Sequence, residues 1–237
     1  MPYELFYWPS IQGRGEFVRL ALEEAGADYV DVARERGLGE MSRLMEGEGT
    51  VTPPFAPPFL RDGEVVVGQT AAILHYLGGR IGLAPRNEGA RLWTHQLQLT
   101  IADFVDEAHD LHHPIASSLY YHEQKAEAAR RAVDFRETRI PKFLSWFERV
   151  LELNPGGDKH LVGRRTTYAD VSLFQVVEGL NYALPRTMEW ALQDSPRVAA
   201  LHAAVGERPN IRGYLESERR IPFNDDGIFR HYPELDA

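Results

Sequence analysis

The chain changes its pattern near residue 85, and this change restricts the folds it can adopt. Before that point, short apolar segments alternate with segments whose apolar residues have helical spacing, whereas after it the pattern is helical nearly to the end. At 237 residues the chain is long for one compact domain. We therefore predict an α/β domain followed by an all-α, helical-bundle domain.

The pattern before residue 85 predicts the element order β-α-β-α-β-β-α, in which the second helix is short. Strands are expected at residues 3–7, 27–32, 58–60 and 64–67, and helices at 15–26, 40–45 and 69–78. The Asp62-Gly63 pair between the last two strands is a strong hairpin signal. Thr70 is expected to cap the last helix, which should end at Gly78 and Gly79.

The segment 83–89 (LAPRNEG) is typical of a linker and separates the expected domains, residues 1–82 and 90–237. Beyond it, helices are predicted at residues 90–109, 123–153, 167–184, 196–205 and 211–217. Thr167 and Asp170 have the spacing of a helix-capping box, with Asp in place of the usual Glu or Gln. The tail, residues 223–237, has no clear period.

Composition and charge exclude several kinds of function. The net charge is −9 and no run of Lys and Arg is longer than two, so a nucleic-acid partner is not expected. The first residues lack a basic leader and no segment approaches a membrane span, so we expect a cytoplasmic protein without a membrane partner. The chain has no cysteine, so in any sulfur chemistry the sulfur must arrive on the substrate.

Three local features are candidates for chemistry. In FYWPSIQGRGEFVR, Tyr7 ends a strand and Arg14 begins a helix, although taken alone Tyr7 suits an ordinary strand aromatic. In APPFLRDG, two prolines precede the hairpin, as either a cis X–Pro bond or a trans kink. Gln69 and Thr70 open a helix, whose free N–H groups attract carboxylates, although taken alone Thr70 suits a plain N-cap.

Taken together, these features resemble the cytosolic glutathione transferase family over nearly the whole chain. The segments ELFYWPSIQGRGEFVRLALEEAG and PFLRDGEVVVGQTAAILHYL are similar to the first domain of tyrosine-type members, here a bacterial-like one. HLVGRRTTYADVSLF is similar to the second-domain pattern. The resemblance implies a thioredoxin-like glutathione-binding domain at residues 1–82 and an electrophile pocket in the helical domain at residues 90–237.

The resemblance also implies roles for individual residues. Pro58 corresponds to a cis-proline whose neighbouring backbone holds the cysteinyl part of glutathione as an added strand. Gln69 and Thr70 correspond to the pair that binds the γ-glutamyl group. Tyr7 corresponds to the catalytic residue, whose hydroxyl stabilises the thiolate. Arg14 either adds positive potential nearby or is a solvated surface residue.

Two departures from the family pattern leave alternatives open. The loop after Tyr7 is one residue longer than usual and contains Ser10, which stands in the loop where serine-type members place their thiolate-stabilising hydroxyl. Pro57 stands where Val or Ile is usual and has no N–H to offer glutathione, so affinity is lower or another group compensates. The candidates for binding the glycyl carboxylate are Arg34, Arg36 and Arg43.

The pocket for the second substrate is expected between the Tyr7 loop and the first long helix of the second domain. Its expected wall contains His109, Leu111, His113, Leu119, Tyr120 and Tyr121. His109 and His113 also have metal-ligand spacing, but no carboxylate partner is evident and no metal is predicted. They are expected to be core, capping or substrate-contact histidines.

The implied function is detoxifying conjugation of glutathione, as its thiolate, with hydrophobic electrophiles. Glutathione is then a co-substrate, and no tightly bound cofactor is expected. The alternatives are a glutathione-dependent isomerase or peroxidase and a non-catalytic glutathione-binding protein on the same fold. The family resemblance further implies a homodimer, in which Phe55 either inserts into the partner or is buried within its own domain.

Overall fold

A mixed four-stranded sheet lies in the first third of the chain, in a computed structural model that describes residues 2–237. The strands are β1 (Tyr3–Phe6), β2 (Tyr29–Asp31), β3 (Phe59–Asp62) and β4 (Val65–Gly68), arranged in the order β2-β1-β3-β4. The β1–β2 pair is parallel, whereas β3 is antiparallel to both β1 and β4. The predicted hairpin at Gly63 is confirmed.

Helices cover both faces of this sheet because side chains alternate along its strands. These helices are α1 (Gly15–Ala25), α2 (Val32–Arg36), α3 (Gly39–Met45) and α4 (Thr70–Gly78). Leu5 and Leu60 pack beneath α1 and α4 in one apolar cluster. Phe6 and Phe59 point to the opposite face, where their rings stack at 4.6 Å beside α2 and α3.

The second half consists of helices around a buried core. They are α5 (Glu88–Asp110), α6 (Lys125–Asp134), α7 (Ile140–Leu153), α8 (Tyr168–Ala183), α9 (Pro185–Gln193), α10 (Pro196–Gly206) and α11 (Pro209–Leu215). Helix α8 is apolar around nearly its whole circumference and is buried, as predicted for residues 167–184. The predicted capping box is present, with Thr167 at the N-cap and Asp170 accepting from its backbone N–H.

Three elements differ from the sequence-based prediction. Two short helices, α2 and α3, lie between β2 and β3, where one was expected, because Val32 begins a helix instead of ending a strand. The predicted helix over 123–153 is interrupted by a π-helical turn at Phe135–Arg139. Pro141 follows that turn and has no N–H to continue the ladder. Helix α9 was not predicted.

The segment after α11 runs across both halves of the molecule, and its one helical part is a 3₁₀ turn at Pro233–Leu235. Asn224 donates its side-chain N–H to the carbonyl of Ser10 (2.9 Å). Phe229 packs against Gly179 of α8. Near the end, the Asp236 carboxylate accepts the backbone N–H of Thr187 (3.0 Å) in the first turn of α9. Among residues 2–237, no helix combines the length and the apolar character that a bilayer span requires.

Candidate active site

Three of the predicted site residues stand at the same end of three adjacent strands. Phe6 of β1 is paired with Phe59 of β3, and Phe59 is paired with Gly68 of β4. The residues just beyond these pairs are therefore Tyr7, Pro58 and Gln69. The register of the sheet thus brings together residues that are far apart in the sequence.

The Tyr7 ring is packed beneath the start of α1. Its side chain is 4% exposed, and Gly13 and Gly15 lie directly against it. A Cβ atom on Gly13 would lie 2.0 Å from the phenol oxygen, and Gly13 has a φ of +46°. Only glycine therefore fits at this position, since both the contact and the backbone conformation exclude a side chain.

Burial and hydrogen bonding leave the Tyr7 hydroxyl as a donor. The backbone N–H of Arg14 donates to the phenol oxygen at 2.9 Å. Burial raises the pKa of Tyr7, although the hydrogen bond from Arg14 acts in the opposite direction. The phenol therefore keeps its proton at neutral pH, and its O–H can donate to a group in front of it. Sequence reasoning missed this bond, because nothing local marks a backbone donor.

The peptide bond between Pro57 and Pro58 is cis, which confirms the conformation expected at Pro58. Pro58 is buried, and Pro57 is partly buried. Since Pro57 has no N–H, this strand end offers carbonyl oxygens but one backbone donor fewer. The alternative of a trans kink is wrong.

Gln69 and Thr70 differ in one respect from the prediction. Gln69, with a φ of 67°, is the N-cap of α4, and Thr70 is the first helical residue. Thr70 was expected to be the cap, but inside the helix its hydroxyl cannot accept the N–H groups of the first turn. Thr70 Oγ1 is instead buried without a hydrogen-bond partner among the described residues. A free hydroxyl beside the N-terminal N–H groups suits a carboxylate.

Arg14 links the start of α1 to the second half of the chain. Its guanidinium lies 2.5 Å from the carboxylate of Asp106 on α5, and both side chains are partly exposed. Asp106 thus pairs with the charge that Arg14 was expected to contribute, in an exposed ion pair of the weak kind. A small cavity of about 30 Å³ between α1, α4 and α5 is lined by Arg14, Thr70 and the buried Gln98.

Ser10 and the three candidate arginines occupy more exposed positions. Ser10 is exposed in the loop after Tyr7. Arg34 donates to the carbonyl of Arg219 (2.7 Å), and Arg36 pairs with Glu4 (3.0 Å). Arg43 is exposed on α3. None of these contacts selects one arginine for the glycyl carboxylate.

The histidines at the end of α5 form an uncharged cluster. The rings of His109 and His113 stack at 5.0 Å, and His112 lies against both. Burial lowers the pKa of His109 and His113, and lowers that of His112 to about 3. The His112 Nε2–H donates to the Ile228 carbonyl at 2.7 Å. The Tyr120 ring does not join this cluster, since it is 71% exposed and stacks on His122.

Within residues 2–237, no group of three or more His, Asp or Glu side chains has the geometry to hold a metal ion.

Comparison with known proteins finds similar chains. The family model described as glutathione S-transferase, C-terminal domain, matches residues 109–218. The chain is 26% identical to glutathione S-transferase P of Bos taurus over 230 residues, which cover 95% of this chain and 98% of that protein. It is 27% identical to glutathione S-transferase P 1 of Xenopus laevis, over 92% of this chain and 93% of that one. Together these matches support a cytosolic glutathione S-transferase family member.

The fold of the chain is also that of solved structures. The structure of prostaglandin synthase D of Nilaparvata lugens superposes with a TM-score of 0.70 at 21% identity, covering 94% of this chain and all of that one. The predicted fold class is confirmed: a thioredoxin-like first domain and a helical second domain. The chain is thus an enzyme of the glutathione S-transferase class. The bacterial-like subtype stays a prediction.

Proposed function

We propose that this glutathione transferase activates glutathione as a thiolate for attack on hydrophobic electrophiles, and that Tyr7 stabilises the thiolate. One observation carries the proposal. The Tyr7 hydroxyl is buried, keeps its proton and lies at the same sheet end as the cis-proline and the start of α4. A donor of this kind favours the charged form of a sulfur placed before it.

The binding groups for glutathione are arranged along this sheet end. The N–H groups at the start of α4 and the free Thr70 hydroxyl receive the γ-glutamyl carboxylate, with Gln69 beside them. The backbone around Pro57 and Pro58 holds the cysteinyl part, with the loss of the one donor that Pro57 lacks. In the proposed binding mode the sulfur faces Tyr7.

The proposed reaction requires only that Tyr7 stabilise the thiolate. A free thiol has a pKa of about 8.5 and supplies little thiolate at neutral pH. A hydrogen bond from Tyr7 that lowers the thiol pKa by about two units corresponds to roughly 3 kcal/mol. Tyr7 therefore acts as an electrostatic stabiliser, while the thiolate is the nucleophile. Ser10 is the alternative donor, from the same loop.

The second substrate is proposed to lie between the Tyr7 loop and the end of α5. His109 and His113 are held uncharged there, which suits an apolar electrophile. Trp8, in the loop after Tyr7, is 41% exposed and adds apolar surface. Tyr120 is included on its position in the chain alone, because its ring stacks elsewhere.

Glutathione is the proposed co-substrate, bound by a first domain at residues 1–82, with the electrophile pocket in a second domain at residues 90–237. We also propose a cytoplasmic homodimer. Phe55, which is 95% exposed in the loop before the cis-proline, favours insertion into a partner over a buried role in its own domain.

Retention on immobilised glutathione, followed by turnover of a general aryl halide, tests the function. We expect both retention and turnover. Retention without turnover of the aryl halide would favour the non-catalytic binding protein, unless isomerase or peroxidase substrates are turned over. Failure to bind glutathione in solution as well as on the resin would overturn the proposal.

A further inference from the structure

The loop between Tyr7 and α1 is held in place by the second half of the chain. Gln12, in this loop, is 5% exposed and both ends of its amide are bonded. Its Nε2–H donates to the Ile221 carbonyl at 2.5 Å. Its Oε1 accepts from Nε2 of Gln175, on α8, at 2.8 Å. The loop that follows the catalytic tyrosine therefore depends on partners more than 160 residues away in sequence.

A buried charge network fixes the two partners of Gln12. Oε1 of Gln175 accepts from Arg220 at 3.1 Å, and Arg220 also donates to Glu16 of α1 at 2.6 Å. Glu16 in turn pairs with Arg19 at 3.2 Å, and both of these side chains are fully buried. Because water cannot replace these bonds, the amide of Gln175 has a defined orientation.

The backbone of Gln12 leads directly to the groups that touch Tyr7. Gly13 follows it and lies against the phenol oxygen, and Arg14 supplies the N–H that this oxygen accepts. The Gln12 carbonyl also accepts the N–H of Glu16 (3.0 Å), which sets the start of α1. A displacement of Gln12 would therefore move both contacts of the Tyr7 hydroxyl.

We propose that Gln175 is a positioning residue for Tyr7: through Gln12 it fixes the loop that holds the tyrosine hydroxyl, so that the second domain controls thiolate formation in the first. The proposal rests on the proposed role of Tyr7. Gln175 then contacts neither substrate. The segment at Arg220 and Ile221 likewise helps to position the loop that contains Gln12.

Replacing Gln175 with Leu tests this inference, because Leu has a similar size but leaves Gln12 Oε1 without its donor. We expect the pKa of enzyme-bound glutathione, read from the ultraviolet absorbance of its thiolate, to rise by about one unit. That is a tenfold smaller thiolate fraction below the pKa. The acid limb of the kcat/KM profile should move to higher pH by the same amount, while KM for glutathione changes less than about threefold.

A second variant distinguishes loss of this hydrogen bond from a simple folding defect. In Gln175→Glu the carboxylate still accepts from Arg220 but cannot donate to Gln12. It should show a pKa shift in the same direction in a folded protein. The matched control is Asn210→Ala, which removes the bond from Asn210 to the Glu24 carbonyl (3.0 Å), another contact between the two halves but at the far end of α1. It should lower the melting temperature without moving the thiol pKa.

The outcomes separate this inference from the proposed function. If Tyr7→Phe raises the thiol pKa but folded Gln175→Glu and Gln175→Leu do not, the positioning role of Gln175 is wrong. If Asn210→Ala moves the pKa as much as Gln175→Leu, the effect is a general loss of packing and the inference is likewise wrong. If Tyr7→Phe leaves the thiol pKa unchanged, the proposed role of Tyr7 fails, and the inference fails with it.

Discussion

At Tyr7, two glycines allow a close contact with the ring that larger residues would block. Gly13 and Gly15 let the start of α1 close over the ring, which buries the phenol and brings the Arg14 N–H to its oxygen. Burial alone would raise the pKa of Tyr7 and keep the hydroxyl protonated, without orienting its proton. The bond from Arg14 also occupies an acceptor position, so the hydroxyl proton is directed away from α1. The residue therefore has the one property that thiolate stabilisation needs.

Removing this hydroxyl in Tyr7→Phe should lower turnover by roughly ten- to a thousandfold, because one donor to the developing charge is lost. Glutathione affinity should change little, since its binding groups lie elsewhere. Steady-state kinetics and calorimetric binding measure the two effects. Ser10→Ala is the matched control: full activity in Tyr7→Phe with loss in Ser10→Ala would place the enzyme with the serine-type members.

Thr70→Val should weaken glutathione binding by about one to two orders of magnitude, since a hydrogen bond to a charged group contributes about 1.5–3 kcal/mol. Thermal stability should hardly change, because the Thr70 hydroxyl makes no capping bond in the free protein. Calorimetric titration and thermal unfolding measure the two quantities. Thr138→Val, at an exposed site in the π-helical turn, should alter neither. Unchanged affinity in Thr70→Val would remove the best-placed anchor of the site.

His112 should make the protein sensitive to acid. Its pKa is about 3 in the folded protein, where Arg230, His109 and His113 also oppose its charge, against about 6.5 unfolded. Between these values the unfolded chain binds the extra proton, so stability falls as pH falls below 6.5. His112→Asn, which removes the titrating ring, should lose about 2 kcal/mol less stability than the wild type between about pH 6.5 and 5.

Urea unfolding at several pH values measures this difference. The control is His122→Asn, because His122 is exposed and stacks on Tyr120 outside the histidine cluster. An equal acid response in His112→Asn and the wild type would show that His112 is not responsible.

Among the elements, the stability of α8 depends on the hydrogen bonds at its first turn. The fully buried Asp170 accepts the backbone N–H groups of Leu161 and Thr167, both at 2.7 Å. Asp170→Ala leaves these two backbone N–H groups and the Thr167 hydroxyl without their partner. Each buried donor left unpaired costs about 1–3 kcal/mol, so we expect a loss of about 3 kcal/mol or more. Asp170→Asn keeps one acceptor oxygen and should lose less stability. Denaturant unfolding measures both, and equal small losses would contradict this account.

The prediction from sequence succeeded where the signal is local. The hairpin at Gly63 and the box of Thr167 and Asp170 depend on neighbours a few residues apart, and both are present. Helix α2 escaped notice because Val32 and Ala33 are its only buried residues, too few to show a helical period. The predicted fold therefore lacked only short or weakly patterned elements.

The site was predictable only in part, for a related reason. Tyr7, Pro58 and Gln69 meet because of strand register, and family resemblance was needed to connect them. The contact of Asp106 with Arg14 joins residues 92 positions apart, and the Gln12–Gln175 bond joins residues 163 apart. No local pattern marks such pairs, because their geometry exists only after the two halves have packed.

At the scale of the whole molecule, we expect a homodimer. Phe55 and Val51 are almost fully exposed before the cis-proline, and Leu92 and Leu99 are exposed on one side of α5. Apolar side chains of this size suit a two-fold interface better than water. Sedimentation velocity at micromolar concentration should give twice the mass of one chain, and Phe55→Ala should raise the dissociation constant. A wild-type monomer at that concentration would contradict the prediction.

The contact between Gly179 and Phe229 carries a consequence for evolution. A Cβ atom on Gly179 would lie 2.2 Å from the Phe229 ring, so the two positions share one volume. In a lineage that keeps this tail path, any gain of a side chain at 179 must be matched by a smaller residue at 229. The two positions should therefore covary, and homologous chains with a bulky residue at both must route their last segment differently.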